Sequence, residues 1–147
     1  MNLKENESTE KAYRKLRQCG IRPSLQRVAI MQYLQTHFTH PTVEDVYRGL
    51  RDEIPTLSLT TVYNTLRMFS EQKAALMLTI NDHHVCYDGV TAPHAHFFCK
   101  QCGMVIDLAG DDTPADAFPM EREGCLLEEV QLYYKGICND CRNNHIV

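Results

Sequence analysis

The chain has 147 residues, 44% hydrophobic and 23% charged, with a formal net charge of −4. These proportions fit a globular protein of one ordinary domain or two small ones. No run approaches the roughly 18 apolar residues that span a bilayer, and the polar, acidic stretch Met1–Lys11 lacks the apolar core of a signal peptide, so no membrane partner and a cytoplasmic location are expected.

The charge is uneven. Residues 1–80 carry 11 Lys/Arg against 8 Asp/Glu, a balance of +3, and residues 81–147 carry 4 against 11, a balance of −7. A weakly basic first half and an acidic second half suggest two tasks.

The first half reads as helices. A polar segment from about Glu7 to Cys19 ends at Gly20, a C-cap residue. Pro23-Ser24 opens a second helix with Leu25, Val28, Met31 and Leu34 on one face. Thr42 starts a third with Asp45 placed for a capping box, and Val43, Val46, Tyr47 and Leu50 follow as an amphipathic stripe. Ile54-Pro55 ends it. Ser58 caps a fourth helix, which turns Leu59, Val62, Leu66 and Phe69 inward.

The period then changes. Ala75–Ile80 and Val85–Asp88 are strand-like runs around the turn pair Asn81-Asp82. Helices followed by a hairpin fit a winged helix-turn-helix. Gly89–Pro93 reads as a hinge. His96–Phe98, Met104–Leu108 and Leu126–Tyr134 read as strands, with a short helix between about Pro114 and Gly124. The expected fold class is α+β: a winged helix-turn-helix over residues 1–88, a hinge over 89–93 and a small α/β unit over 94–147.

Seven cysteines in a reducing compartment argue against disulfides. Cys99-x-x-Cys102-Gly103 and Cys138-x-x-Cys141 form two knuckles. Each pair places two sulfurs on one edge of a tetrahedron, and together they close a structural zinc site. The competing reading is a pair of redox motifs, but neither pair opens a helix after a strand. A short acidic half also needs such a staple, since zinc binding energy serves as folding energy. Cys19, Cys86 and Cys125 stand alone and read as small buried hydrophobes.

A second donor set has harder chemistry. His94 and His96 are two apart, so on a strand both imidazoles share a face. Asp88 precedes them, Asp107 lies on the next strand, and His40 sits at the mouth of the third helix. Three imidazoles and two carboxylates suit Fe(II), Mn(II), Co(II) or Zn(II).

These residues together resemble the ferric uptake regulator family of metal-dependent bacterial repressors. The resemblance rests on Gly20-Ile21-Arg22-Pro23-Ser24-Leu25-Gln26-Arg27, on His40-Pro41-Thr42, on Ser58 through Leu66, on His94-x-His96 and on the two cysteine pairs. It implies a homodimer that binds palindromic double-stranded operator DNA when metallated, with residues 1–88 as the DNA-binding domain and 94–147 as the dimerisation domain. It assigns zinc to Cys99, Cys102, Cys138 and Cys141, and a regulatory Fe(II) or Mn(II) to His40, Asp88, His94, His96 and Asp107. The peroxide-sensing branch is the most similar: Asp88 and Asp107 stand where iron sensors usually carry Glu, and Ala95 and Glu128–Tyr134 lack further metal-binding histidines. In that branch, bound Fe(II) reacts with hydrogen peroxide and a ligand at positions matching His40 or His94 is oxidised. The alternative within the family is a repressor responsive to iron, manganese or zinc alone.

The fourth helix leaves Thr60, Thr61, Asn64 and Arg67 facing outward with Tyr63 at the flank, a set able to read base edges. The resemblance favours Tyr63 and Asn64 for base contact, and matches Arg17 to a residue that reaches the minor groove. His83, His84 and Cys86 lie in the expected wing and could form a further site. A zinc hydrolase is disfavoured because catalytic zinc usually keeps three protein ligands. A zinc-stapled interaction module without a DNA role is the remaining class.

Overall fold

The computed structural model describes residues 3–81, 84–92, 94–108 and 118–144. Contacts divide the chain into two compact units, Met1–Thr91 and Ala92–Val147.

The first unit holds four helices, α1 (Leu3–Gln18), α2 (Leu25–Thr36), α3 (Val43–Leu50) and α4 (Leu59–Glu71), then strands β1 (Leu76–Leu78) and β2 (Cys86–Asp88). Helix α1 begins four residues earlier than the sequence pattern suggests, because its polar first turn is built of good helix formers with Glu5 near the N-terminus. It ends in a Schellman motif. Gly20 adopts φ +72°, Gly20 N–H donates to Arg17 O at 3.1 Å, and Ile21 N–H donates to Leu16 O at 2.8 Å. Ile21 and Leu16 are both buried, the apolar contact that accompanies this motif.

The other helices start on the expected caps. Ser24 Oγ accepts from Arg27 N–H, and Ser58 Oγ accepts from Thr61 N–H. Thr42 and Asp45 form the full capping box, with Thr42 N–H donating to Asp45 Oδ2 at 3.0 Å and Asp45 N–H donating to Thr42 Oγ1 at 3.2 Å.

The core joins Ala12, Leu16, Ile30, Met31, Leu34, Val46, Leu50, Val62, Leu66 and Phe69, with Val28, Val43 and Tyr47 packed against it. Leu25 and Leu59 do not belong to the inward faces: they are 79% and 44% exposed. Each is the first residue after a serine cap, where the helix has just begun and its side chain projects past the packed stripe.

Strands β1 and β2 pair antiparallel, with Leu76 opposite Asp88 and Leu78 opposite Cys86. Asp82 and His83, in the connection, lie outside the described residues. Of the lone cysteines, Cys86 is buried and Cys19 packs against the core.

The second unit holds a three-stranded sheet in the order β4 (Val105–Leu108), β3 (Ala95–Cys99), β7 (Tyr133–Gly136), with β3 antiparallel to β4 and parallel to β7. A separate hairpin pairs β5 (Met120–Arg122) with β6 (Cys125–Leu127), and α5 (Asn139–Asn143) closes the described chain.

Two expectations fail here. Residues 120–122 are a strand rather than the end of a helix; residues 114–117 lie outside the described residues. The run 126–134 is two strands with different partners. The cause is the two-residue turn Glu123-Gly124, with φ of 52° and 79°. Two consecutive left-handed residues make the type I′ geometry that joins a tight hairpin. The turn leaves Cys125 exposed rather than buried.

No helix among the described residues is long and apolar enough to cross a membrane. Thr42→Ala removes half of the capping box and is expected to lower the stability of the first unit by about 1 kcal/mol, measured as the urea midpoint of its helical signal.

Candidate metal centres and nucleic-acid face

Cys99 closes strand β3, and the chain turns at once. Gly103, at φ +77°, donates its N–H to Cys99 O at 2.9 Å, and Cys99 N–H donates to Met104 O at 3.0 Å. This tight turn aims Cys102 N–H at Cys99 Sγ, 3.5 Å away. Cys138 caps α5 two residues after β7, so this pair does open a helix after a strand, contrary to the sequence reading. What favours a metal site is that the Cys138 N–H reaches the same sulfur at 3.3 Å and brings both pairs together. The Cys102 and Cys138 sulfurs are 3.8 Å apart, and all four cysteine sulfurs lie within 4.8 Å of one another. Tetrahedral zinc with bonds of about 2.3 Å places its sulfurs about 3.8 Å apart. The four side chains fit zinc.

The thiol acidities agree with that fit. The backbone N–H groups of Cys102 and Cys138 hold the Cys99 thiol down to about 6. Hydrogen bonding to Cys138, then burial, pushes Cys141 up to about 12. One sulfur is poised as a thiolate while its neighbour resists ionising beside it, so the full set of four thiolates calls for a cation.

The nitrogen and oxygen donors fall in two groups. In the first unit His40 and Asp88 are both buried, with His40 Nε2 3.4 Å from Asp88 Oδ2. His40 takes φ +54°, an uncommon conformation for a residue with a side chain, at the entry to α3. Its neighbour Pro41 is tied to β2 by Tyr87 N–H donating to Pro41 O at 2.9 Å. Asp88 is fixed by a local turn, its Oδ1 accepting from Val90 N–H at 2.8 Å.

Gly89 makes this turn possible. A Cβ there would lie 3.0 Å from the Leu34 carbonyl oxygen, so only glycine passes at that distance without displacement. Sequence reasoning placed Gly89 in a hinge and missed this role. The Asp-Gly step straight after a strand was the available signal.

In the second unit the pleat brings His96 directly opposite Asp107. His94, two residues earlier, turns to the same side, and the rings are 4.3 Å apart. Asp107 Oδ1 lies 3.1 Å from His94 Nε2 and 3.2 Å from His96 Nε2. His94 Nδ1 lies 2.7 Å from Ala92 O. A carbonyl only accepts, so Nδ1 carries a proton, and Nε2 is the ring atom turned to the carboxylate oxygen. A ring nitrogen and a carboxylate oxygen at that distance can share a proton or ligate one cation. This set fits a hard divalent ion with nitrogen and oxygen ligands.

Cys86 is not of this kind. Burial, then the Asp88 carboxylate, pushes its thiol up to about 11. His84 is exposed, and His83 is outside the described residues.

On α4, Thr60, Tyr63, Asn64 and Arg67 are exposed and Thr61 is half-buried, with its hydroxyl 2.8 Å from Ser58 Oγ. Arg67 Nε donates to Glu71 at 3.1 Å. Thr61 and Asn64 share a cleft with Arg22, Gln26 and Arg27. On α1, the Arg17 guanidinium stacks 4.6 Å from the centre of the Tyr13 ring and donates to its hydroxyl at 2.9 Å.

The sequence profile of the Ferric uptake regulator family matches residues 18–135. The chain belongs to that family. It is 40% identical over 137 residues to the peroxide-responsive repressor PerR of Staphylococcus aureus, covering 91% of each chain. It is 34% identical over 140 residues to the peroxide operon regulator of Bacillus subtilis, covering 92% of this chain and 96% of that one. Among solved structures, the ferric uptake regulator of Pseudomonas aeruginosa with manganese superposes with a TM-score of 0.64 at 26% identity, covering 84% of this chain and 96% of that one.

The chain is therefore a metal-dependent transcriptional repressor of the ferric uptake regulator type, not an enzyme. Regulators of this family bind DNA and are dimeric. Two donor sets among the described residues fit metal ions, the four cysteine sulfurs and the set of nitrogen and oxygen donors.

Zinc uptake at the cysteines has a defined pH dependence. With Cys141 pushed up to about 12, zinc must expel its proton at any pH from 5 to 8. Below about 6 it must expel the Cys99 proton as well. Apparent zinc affinity is expected to fall with falling pH, and more steeply below pH 6, in a chelator competition from pH 8 to pH 5.

Proposed function

We propose that the chain is a peroxide-responsive repressor. Residues 1–88 act as a winged helix-turn-helix, 89–93 as a hinge and 94–147 as the dimerisation domain. The homodimer binds palindromic operator DNA through Arg17, Thr60, Thr61, Tyr63, Asn64 and Arg67 and works in the cytoplasm. Cys99, Cys102, Cys138 and Cys141 hold structural zinc. His40, Asp88, His94, His96 and Asp107 together hold one Fe(II) or Mn(II).

The observation that carries this reading is Asp107 Oδ1, within 3.2 Å of two imidazole nitrogens in a site with no sulfur donor. Support also comes from the relatives, which are named for peroxide response. Bound Fe(II) would lend an electron to cleave the peroxide O–O bond and regain it from the imidazole, so that, with iron unchanged overall, one oxygen atom is added to an imidazole carbon and one water is released.

The chain's own residues set where that happens. Asp107 and Asp88 orient the imidazoles. The His94 side chain is 16% exposed and open to a small oxidant, whereas those of His40 and His96 are each 3% exposed, so His94 is the first to be reached. An oxidised imidazole is a poorer ligand. An ion drawing ligands from both units would then lose its hold on one of them, and the dimer would leave its operator.

Purified protein loaded with Fe(II) and treated with micromolar peroxide tests this. One added oxygen on His40 or His94 peptides, with loss of operator binding, is expected by mass spectrometry and mobility shift. Unmodified histidines with binding intact would leave the chain as a repressor responsive to iron, manganese or zinc alone.

A further inference from the structure

The segment Asp88–Thr91 has a feature that the metal and DNA contacts do not use. Lys15 Nζ, on α1, donates to Thr91 Oγ1 at 2.9 Å in a partly buried setting, across 76 residues of chain. A lysine ammonium seldom leaves water for a neutral hydroxyl unless the geometry holds it there.

Both ends of this bond matter. Thr91 lies in the proposed hinge, three residues after Asp88. The first residues of the hinge are tethered: Asp88 accepts from Val90 N–H, and a Cβ on Gly89 would lie 3.0 Å from Leu34 O. Movement of the Asp88 carboxylate therefore pulls on Val90, next to Thr91. At the other end, α1 is packed into the core by Ala12 and Leu16. Lys15 and Arg17 are two residues apart, so they point about 200° apart around the helix. With α1 seated in the core, the Lys15–Thr91 bond holds the helix from one side, and Arg17 lies on the opposite side, where its guanidinium stacks on Tyr13.

We propose that Lys15 and Thr91 are positioning residues that couple the metal site at Asp88 to the DNA-facing helix α1. The bond is neither a metal ligand nor a base contact. It rests on the functional reading above, since it needs metal and DNA to bind the same chain.

The test uses the full-length dimer and a duplex selected from a random pool by Mn(II)-loaded protein. Duplex affinity is measured with and without Mn(II), and Mn(II) affinity with and without duplex, for the wild type, Thr91→Val, Thr91→Ser, Lys15→Met and the double variant. Coupling is reciprocal, so both pairs of measurements report the same factor. In Thr91→Val, which keeps every charge, the coupling factor is expected to fall about fivefold. The Mn(II) affinity of the free protein and the metal-free duplex affinity stay within about twofold. Thr91→Ser restores the coupling. Lys15→Met loses the coupling and also weakens duplex binding in both metal states, because a cation is gone. Adding Thr91→Val to it lowers the coupling no further.

Unchanged coupling in Thr91→Val overturns this inference alone. So does a loss that Thr91→Ser fails to restore. A wild-type protein whose duplex affinity ignores Mn(II) overturns the functional reading and this inference with it.

Discussion

Four sulfur atoms within 4.8 Å of one another repel as thiolates and hold together only around a cation. The second unit depends on that constraint. Its sheet is three short strands, and both cysteine pairs attach to it: Cys99 ends β3, and Cys138 follows β7 directly. Cys138 N–H on the Cys99 sulfur ties the two ends together at 3.3 Å. With β3 held in register at its C-terminal end, the pleat determines what its other end presents. His96 opposes Asp107, and His94 falls on the same side. The zinc chemistry is closed and soft; the histidine chemistry a few residues away is hard. One strand can carry both donor sets because softness of donor, rather than distance, would sort the two ions.

The first unit reaches its donors by other means. Local hydrogen bonds fix the starts of α2, α3 and α4, and the Schellman turn fixes the exit from α1. His40 pays for its place with a left-handed backbone, held by the capped α3 that follows and by Pro41 bonded to β2. Asp88 is oriented by its own turn and by a glycine that lets β2 leave beside α2. Donors held this firmly would lose little entropy on binding an ion.

Much of this could be read in the sequence, and the reason is locality. Caps, the glycine C-cap and the two cysteine knuckles depend on residues within a few positions of one another. The α3 stripe was legible because its period is its structure. Leu25 and Leu59 misled because apolar spacing says nothing about where a helix has just begun. The β5–β6 hairpin was hidden because Glu123 adopts a positive φ that Asn or Asp would have signalled. In the metal set, the His94–His96 spacing was visible. The role of Gly89, the Asp88–Val90 turn and the Lys15–Thr91 bond were not, since each depends on parts of the chain brought together by the fold.

The central proposal is that one ion takes three imidazoles and two carboxylates, those of His40, Asp88, His94, His96 and Asp107. X-ray absorption at the manganese edge of the Mn(II)-loaded dimer measures that set directly. A nitrogen–oxygen shell with three imidazoles and no sulfur is predicted, falling to two imidazoles in His40→Ala and also in His94→Ala. A shell that contains sulfur, or one unchanged by His40→Ala, would contradict the account.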